Sequence, residues 1–233
     1  MICILSDGVW LILSSFSIRP STEKQLLFTS SVKGVCRLWE ESTNDTAPYN
    51  LLFECVTAKN QIATCCAILK DNSLVIGDSR GGISIFRWDD SIHKIKVPAT
   101  SHLDPSNGFI SEDYQQLPIQ DEGPANSQCR LPADLYIPHA HGSDLVSSIK
   151  ENRDGGGFYS VGHDGFFCIF TSTGSLMNKL KCLPIKSPDK IFIVGKGKEK
   201  SIYIGGFLGG LYLVYDIRRG YQLMRIEGGG WKR

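Results

Sequence analysis

The chain repeats one short pattern four times: an apolar strand, a tight turn at glycine, and a second apolar strand. The four copies read LLFTSSVKGVCRLWE, LVIGDSRGGISIFRW, FYSVGHDGFFCIF and IYIGGFLGGLYLVYD. Alignment on the turn places four glycines in one column, namely Gly34, Gly82, Gly165 and Gly210. Five residues further along stand Trp39, Arg87, Phe170 and Tyr215. An internal repeat of this kind constrains the fold of the whole chain more than any single motif does.

The spacing of the turns indicates the size of each unit. Gly34 and Gly82 are 48 residues apart, and Gly165 and Gly210 are 45 residues apart. Both distances are close to the roughly 40–45 residues of a four-stranded propeller blade. The 83 residues from Gly82 to Gly165 exceed one unit, and the excess falls in residues 98–133, which are rich in proline and polar side chains. Such a segment buries too little apolar surface to offset its ordering entropy, so it predicts a flexible loop inserted between blades.

The repeats therefore predict an all-β chain, a WD-repeat β-propeller of about four four-stranded antiparallel blades. The blades are expected roughly at residues 1–41, 48–97, 134–174 and 175–218, and residues 219–233 are expected to begin a further blade. A terminal blade without a neighbour exposes a large apolar face. Either the four blades close on themselves or the chain is a piece of a larger propeller and is open, and the second arrangement is favoured.

Composition places the chain among globular proteins. Hydrophobic residues make up 42% and charged residues 21% of the sequence, a composition that is ordinary for globular proteins and not typical of disordered chains. A net charge of +1 excludes a strong global attraction to nucleic acid or to an anionic membrane. No stretch approaches the about 20 apolar residues of a membrane helix. The eight cysteines form no C-x-x-C pair and several lie in strand patterns, which favours a reducing compartment and hence the cytoplasm.

Three patterns that resemble chemical sites are better explained as structure. Ser160, His163 and Asp164 contain the residue types of a hydrolase triad, but neighbours on one hairpin turn cannot line up nucleophile, base and orienting group. His139, His141 and His163 match no common zinc spacing. The string VGKGKEKS lacks the glycine spacing of a phosphate-binding loop. The sequence therefore predicts no catalytic, cofactor-binding or metal-binding residue.

Several other residues are interpreted as structural positions of the repeat. The aromatic–acidic pairs Trp39-Glu40 and Tyr215-Asp216 each end an inner strand, and His141-Gly142 stands just before one, where such repeats commonly place a structural histidine. Asp164 directly precedes its turn glycine and is expected to accept hydrogen bonds in the turn. The predicted structural positions are Gly34, Trp39, Gly82, Asp164, Gly165, Gly210, Tyr215 and Asp216.

Charge is distributed unevenly along the chain. Residues 179–233 carry twelve basic and four acidic side chains, whereas residues 89–134 carry three basic and eight acidic ones. Basic loops grouped on one face of a propeller could bind RNA phosphates, although solvated loops would give the same composition. The candidate RNA-contact residues are Lys196, Lys198, Lys200, Arg218, Arg219 and Arg225.

Residues 141–233 resemble the WD repeat-containing protein 6 family. The resemblance lies in the strings HGSDLVSSI, GGGFYSVGHDGFFCIFTSTGSL and SIYIGGFLGGLYLVYDIRRGYQLMRIEGGGWKR. Their order is a His-Gly before a strand, a GHDG hairpin, and a run of three glycines followed by an aromatic residue. The ending EGGGWKR is the least generic of these elements, since ordinary WD repeats do not require it.

The resemblance implies a non-catalytic partner of an FtsJ-like tRNA ribose methyltransferase. Such a partner helps to present tRNA for 2′-O-methylation at the wobble nucleotide of the anticodon, and methyl transfer from S-adenosylmethionine belongs to the enzyme. The chain is then expected to bind a methyltransferase and tRNA, but no cofactor, membrane or small-molecule substrate. Full-length members of the family carry several propellers. The chain departs from the repeat at Arg87, which replaces the expected aromatic residue, with Trp88 displaced by one position.

Two other function classes stay open. A generic protein–protein scaffold, such as a ubiquitin-ligase substrate receptor or a trafficking platform, would use the same repeats. An enzyme is the third class, and the fold alone does not favour one.

Overall fold

A computed structural model of the chain describes residues 2–5, 8–11, 17–18, 24–43, 49–58, 61–88, 130–195 and 197–227. Within these ranges there is no α-helix, and the all-β prediction is confirmed. The strands, in chain order, are β1 (Ile2–Leu5), β2 (Gly8–Leu11), β3 (Ser17–Ile18), β4 (Gln25–Ser31), β5 (Val35–Glu41), β6 (Tyr49–Val56), β7 (Ala63–Ile68), β8 (Ser73–Asp78), β9 (Ile83–Arg87), β10 (Arg130–Leu131), β11 (Leu135–Ile137), β12 (Val146–Glu151), β13 (Phe158–Gly162), β14 (Phe166–Phe170), β15 (Leu176–Lys181), β16 (Ser187–Val194), β17 (Ser201–Leu208), β18 (Leu211–Asp216) and β19 (Tyr221–Glu227). A short 3-10 turn, Gly197–Glu199, lies between β16 and β17.

The strands form four sheets in chain order. The first has the strand order β1-β2-β4-β5-β6-β10, and β3 pairs with β4 beside this path. The second, third and fourth sheets have the orders β11-β9-β8-β7, β12-β13-β14-β15 and β16-β17-β18-β19. Each repeated hairpin therefore lies in a different sheet, as β4–β5, β8–β9, β13–β14 and β17–β18. Apart from the pairing of β10 with β6, all strand pairs in the described residues are antiparallel.

Consecutive sheets are joined by three apolar clusters. Each cluster draws its side chains mainly from two neighbouring sheets, so the second and third sheets bury side chains toward both neighbours. Burial of this kind is the main favourable contribution to folding. The clusters join, in order, Phe28 and Phe53 to Phe86 and Trp88, Ile83 and Ile85 to Val146 and Phe158, and Phe167 to Ile191 and Ile204.

The first strands of the second, third and fourth sheets lie next to one another. Thr64 in β7 donates a hydrogen bond to the carbonyl oxygen of Val146 in β12 over 2.5 Å. Ser147 in β12 donates to the carbonyl oxygen of Pro188 in β16 over 2.6 Å. The three sheets are therefore linked along β7, β12 and β16, and the corresponding ends of these strands come close together.

The sheets divide the chain at different places from the predicted blade limits. Strands β6, β15 and β19 each pair with the strand that precedes them, so they belong to the first, third and fourth sheets. Strand β19 in particular pairs with β18 and does not begin another sheet. The connections 171–175 and 217–220 are too short for the chain to leave its sheet, and a short connection returns it antiparallel.

Most of the predicted loop 98–133 lies outside the described residues. Its end does not match the prediction, because Arg130–Leu131 forms β10, which pairs in parallel with β6. The Arg130 guanidinium lies 2.8 Å from the Glu54 carboxylate, which also binds Arg37 over 3.0 Å. This shared carboxylate gives the pairing a side-chain contact in addition to its backbone bonds.

The turn glycines differ from the predicted column in two sheets. Gly34 and Gly165 have φ values of 78° and 81°, the left-handed backbone that glycine adopts without strain. In the second and fourth sheets the left-handed residues are Gly81 and Gly209, one position before the predicted Gly82 and Gly210. Both turns contain two adjacent glycines, so the sequence pattern alone does not fix which one takes this conformation.

The corrected turns change the residue counts in the second and fourth repeats. Counted from Gly81, the position five residues further along is Phe86, which is fully buried. Phe86 therefore supplies an aromatic residue at this distance in the second sheet, whereas the same count from Gly209 in the fourth sheet reaches Val214 and not Tyr215. Arg87 is exposed, and its guanidinium donates to the carbonyl oxygen of Ser172 over 3.1 Å.

A matched pair of substitutions tests this assignment. Among the described residues, no atom beyond the immediate chain neighbours lies within 4 Å of a Cβ built on Gly209 or Gly210, so packing does not distinguish the two sites. Only Gly209 has a left-handed φ, of 61°. Gly209→Ala is expected to lower the free energy of unfolding by about 1 kcal/mol, whereas Gly210→Ala leaves it unchanged or raises it slightly. Urea unfolding measures both, and the reverse order would restore the predicted column.

Candidate functional site

The third sheet contains a hydrogen-bonded serine–histidine–aspartate array. His141 Nδ1 lies 2.8 Å from Asp164 Oδ1, and His141 Nε2 lies 2.8 Å from Ser160 Oγ. A carboxylate can only accept hydrogen bonds, so Nδ1 carries the proton and donates to Asp164. In the neutral ring, Nε2 then accepts from the Ser160 hydroxyl. Every nitrogen of the imidazole thus has a partner.

Backbone contacts and a glycine hold His141 in place. Its backbone N–H donates to the carbonyl oxygen of Gly81, in the turn of the second sheet, over 3.0 Å. A Cβ on Gly162 would lie 2.6 Å from the imidazole Cγ, so this strand position requires glycine. The backbone of His141 therefore contacts the second sheet while its side chain bonds within the third.

Burial decides what the array can do chemically. The same three residue types, in the same bonding order, form the triad of serine hydrolases. The His141 side chain and Ser160 are both completely buried, so no substrate carbonyl can approach the hydroxyl. Both imidazole nitrogens are occupied, so His141 is not available as a metal ligand. The arrangement is that of a structural network within the sheet.

Sequence reasoning grouped Ser160 and Asp164, which belong to this array, with His163, which does not. His163, considered together with Ser160 and Asp164, is exposed, and its backbone N–H donates to the carbonyl oxygen of Leu145. The histidine in the array is His141, which lies 23 residues before Asp164. The signal that identifies it is the His-Gly before β12, and its interpretation as a structural histidine fits the geometry.

The first sheet has a related contact. Trp39 Nε1 donates to Thr29 Oγ1 over 2.9 Å. Thr29 stands five residues before its turn glycine Gly34, as Ser160 does before Gly165. The hydroxyl at this position therefore binds the aromatic residue of the hairpin in the first sheet and the histidine in the third.

The charge of Asp164 is stabilised by its neighbours. Burial alone would raise the pKa of its carboxyl group, but the hydrogen bond from His141 lowers it. The backbone N–H of Phe166 and the Lys179 ammonium, 3.5 Å from Oδ2, act in the same direction. The net result is a pKa below the ordinary value of an aspartate.

The predicted pair Tyr215-Asp216 closes the turn between β18 and β19. Asp216 is buried, and its Oδ1 accepts the backbone N–H groups of Arg218 and Arg219 over 2.9 and 2.8 Å. The Tyr215 hydroxyl donates to the carbonyl oxygen of Gly220 over 2.5 Å. In the first sheet, Glu40 beside Trp39 is buried as well.

The ammonium group of Lys200, a predicted RNA-contact residue, binds other side chains of the protein. Its side chain is only 8% exposed, and its ammonium lies 2.7 Å from Asp154 Oδ2. It also donates to Asn152 Oδ1 over 2.9 Å and to the Tyr159 hydroxyl over 3.1 Å. An ammonium has three protons, so no donor is left for a phosphate. The prediction of Lys200 as a phosphate ligand is at odds with this geometry.

Of the other five candidate residues, the three that the structure describes do not form one cluster. Arg218 and Arg219 are exposed in the turn after β18, and the Arg218 guanidinium donates to the carbonyl oxygen of Lys200 over 3.2 Å. Arg225 is exposed on the outer strand β19, 3.4 Å from Glu227. Lys196 and the side chain of Lys198 lie outside the described residues. The structure thus brings Arg218 to Lys200 and leaves Arg225 apart from them.

A cleft that the sequence did not predict lies beside Lys200. It has a volume of about 640 Å³ and is bounded by the ends of β7, β12 and β16. Lys70 follows β7, Lys150 is the last residue but one of β12, and Arg153 stands in the next turn. The full lining comprises Lys70, Lys150, Glu151, Arg153, Asp154, Ile191, Phe192, Ile193, Val194, Gly195 and Lys200.

The cleft is positively charged. Four cationic and two anionic side chains line it, which leaves two positive charges. Glu151 is held by the backbone N–H of Lys70 over 2.7 Å and by Arg153 Nε over 3.3 Å. The hydrogen bond from Lys200 lowers the pKa of the Asp154 carboxyl group, which therefore stays ionised beside the lysine. Sequence reasoning missed this cluster because its lysines and arginine come from separate sheets.

Neither a scan against protein-family models nor a search of curated proteins finds a match for this chain. In the part of the chain that the structure describes, no three histidine, cysteine, aspartate or glutamate side chains cluster as metal ligands would. The described residues also include no helix long and apolar enough to cross a membrane.

Removal of His141 tests the structural role of the array. His141→Ala leaves the buried Ser160 and Asp164 without their partner and is expected to lower the free energy of unfolding by about 2–4 kcal/mol. His163→Ala, the matched control on the exposed turn, is expected to change it by less than about 0.5 kcal/mol. Urea unfolding followed by tryptophan fluorescence measures both variants. Equal losses of unfolding free energy in the two variants would contradict a structural role for the array.

The lowered pKa of Asp164 predicts a pH dependence of stability. The folded pKa is below the unfolded value of about 3.9, so this carboxylate stabilises the fold above that pH. The contribution is lost as the pH falls through the folded pKa. Asp164→Asn is expected to be less stable than the parent chain at neutral pH and to lose less stability on acidification. Asp144→Asn, on an exposed side chain, is the control, and parallel curves for all three proteins would refute the assignment.

Proposed function

We propose that the four sheets are successive blades of a WD-repeat β-propeller. Four observations support this: the repeated hairpin in each sheet, the apolar clusters between consecutive sheets, the adjacent first strands, and the hydroxyl contacts of Thr29 and Ser160 at equivalent positions. The second and third sheets bury side chains toward both of their neighbours, as the units of repeat architectures do. The described residues do not form a closed ring of sheets, and the proposed propeller is open.

The proposed function of this propeller is that of a non-catalytic adaptor. In this role the chain binds an FtsJ-like tRNA ribose methyltransferase and helps tRNA to reach it for 2′-O-methylation of the wobble nucleotide. The observation that carries the proposal is that the family-like residues and the cationic cleft lie in the same part of the chain. The family-like residues 141–233 supply the third and fourth sheets, and they also supply Lys150, Arg153 and Lys200 in the cationic cleft.

Electrostatics supports an RNA contact through the cleft. Phosphate groups are attracted to clustered lysine and arginine side chains, and the lining of this cleft has an excess of two positive charges. The net charge of the whole chain is only +1, so RNA would be attracted to the cationic cleft and not to the protein as a whole.

The buried array supports the assignment of catalysis to the partner. The Ser160 hydroxyl is the only nucleophile in the described residues with a triad-like arrangement around it, and it is sealed from solvent. In the proposed complex, S-adenosylmethionine and methyl transfer belong to the methyltransferase, as the family resemblance implies. The six cysteines whose side chains the structure describes are free thiols, which suits the cytoplasm as the proposed location.

A generic protein-binding scaffold is the second candidate, and one surface favours it. The face of the fourth sheet turned away from the third carries large exposed apolar side chains. Phe192, Phe207, Met224 and Ile226 are 43%, 46%, 44% and 49% exposed. Exposed apolar patches of this kind often mark protein interaction sites. A ubiquitin-ligase substrate receptor or a trafficking platform would use such a surface without RNA.

Affinity capture of the tagged chain from cytosol, with and without ribonuclease, separates the two candidates. The adaptor function predicts that a methyltransferase and tRNA are recovered together, and that RNA recovery falls steeply as the salt concentration rises. Stable protein partners whose recovery is insensitive to both ribonuclease and salt, with no methyltransferase among them, would instead establish the scaffold. Heat-denatured chain on the same resin is the control for non-specific capture.

A further inference from the structure

We propose that the cleft between the ends of β7, β12 and β16 is a nucleotide-binding site, with Lys150 and Arg153 on the phosphate and Phe192 against the base. The natural source of the nucleotide would be an RNA chain, and in that respect the inference rests on the proposed function. A free nucleotide has the same chemistry, so the test below includes both.

The size and position of the cleft fit such a ligand. A volume of about 640 Å³ falls within the range of small-molecule and cofactor pockets. Three sheets contribute to its walls, through Lys70 of the second, Lys150 and Arg153 of the third, and residues 191–195 of the fourth. The walls are thus fixed to strands that bond to one another along β7, β12 and β16.

The cationic side chains on the rim are available to a phosphate. Lys70 and Lys150 are exposed, and no carboxylate of the described residues lies within ion-pair distance of either ammonium. The Arg153 side chain is 73% exposed and uses its Nε on Glu151 over 3.3 Å. Its two terminal nitrogens are the donors that arginine presents to phosphate in a fork.

Lys200 fixes the turn that carries Arg153. Its ammonium binds Asn152 and Asp154, the two residues on either side of Arg153. Burial of Lys200 lowers its pKa, but the hydrogen bonds to Asp154 and Tyr159 raise it more, and the net shift is upward. The turn is therefore held by a permanent charge, and Arg153 projects from it into solvent. This positioning role accounts for a buried lysine beside a cationic cleft.

The apolar and partly aromatic part of the lining lies along β16, which is the edge strand of the fourth sheet. Phe192 is 43% exposed and Val194 is 59% exposed, and both line the cleft. Exposed aromatic rings beside lysine and arginine side chains are the surface on which proteins stack the bases of single-stranded nucleic acid. A phosphate alone would use only the cationic rim, whereas a nucleotide would use the rim and the exposed edge of β16.

The charge test uses the full chain and a labelled single-stranded RNA at low salt. The double variant Lys150→Glu/Arg153→Glu is expected to bind the RNA at least about tenfold more weakly than the parent chain, and to lose about 1.4 from the slope of log affinity against log salt. The matched control is Lys181→Glu/Lys186→Glu, which makes the same charge change on exposed lysines outside the cleft. It is expected to weaken binding by less than about threefold.

The stacking test separates the aromatic wall from the charge. Phe192→Ala is expected to weaken RNA binding by about fivefold or more. Phe207→Ala is the control, because Phe207 is 46% exposed on the same sheet but does not line the cleft. Circular dichroism and thermal unfolding verify that all four variants are folded.

Titration with adenosine monophosphate distinguishes failure of the site from failure of the RNA function. Loss of both RNA and nucleotide binding in the cleft variants, with both controls unaffected, supports the inference. Nucleotide binding that depends on the cleft, without RNA binding, supports the site and overturns the RNA contact of the proposed function. RNA binding that falls equally in the cleft and control variants overturns the site and leaves the RNA contact standing. Absence of both binding activities overturns the site.

Discussion

The double attachment of His141 is the constraint on which the arrangement of the sheets depends most. Its imidazole bonds to Ser160 and Asp164 inside the third sheet, and its backbone bonds to Gly81 in the second. Apolar contact between sheets is strong but non-directional. A residue that forms hydrogen bonds to two sheets fixes their relative orientation, which apolar contact alone does not. Gly162 leaves the space that the imidazole ring of His141 requires. The relative position of the two sheets is thereby specified.

The junction between the third and fourth sheets is specified in a similar way, with a charge in place of the imidazole. Ser147 bonds to Pro188 at one point, and Lys200 bonds to Asn152 and Asp154 at another. An unpaired charge is costly to bury, so the fully bonded Lys200 ammonium stabilises only this relative position of the two sheets. The same contacts align the ends of β12 and β16, and the cleft lies where those ends meet. Lys200 and Asp154 therefore both join the two sheets and line the cleft.

The sequence predicts the strands well because each hairpin repeats a local pattern. The apolar run at β14 and the partner strand at β13 lie where that pattern places them. Local patterns do not choose between two adjacent glycines, and the left-handed residue is Gly81 and not Gly82. They also assign a strand such as β19 to the wrong sheet, because repeat units and sheets are offset by one strand.

Contacts between distant residues account for the rest of what sequence reasoning missed. His141 meets Asp164 across 23 residues, and Lys200 meets Asn152 across 48. A lysine in a basic segment is ordinarily solvated, and nothing near Lys200 in the sequence indicates that its charge is buried. Lys70 reaches the cleft from the second sheet, 80 residues before Lys150. Charge counted along the chain therefore pointed to the segment that contains Lys200 but did not identify the cationic cleft, whose other cationic side chains come from the second and third sheets.

The most direct measurement of the central claim is the rate of tRNA 2′-O-methylation by an FtsJ-like methyltransferase with and without this chain. Purified enzyme, S-adenosylmethionine and unmodified tRNA are combined, and methylation of the wobble nucleotide is followed over time. An adaptor that helps the enzyme to engage tRNA is predicted to raise this rate, while the chain and tRNA without the enzyme give no product. An unchanged rate, with the chain shown to be folded and in excess over the enzyme, would contradict the adaptor function.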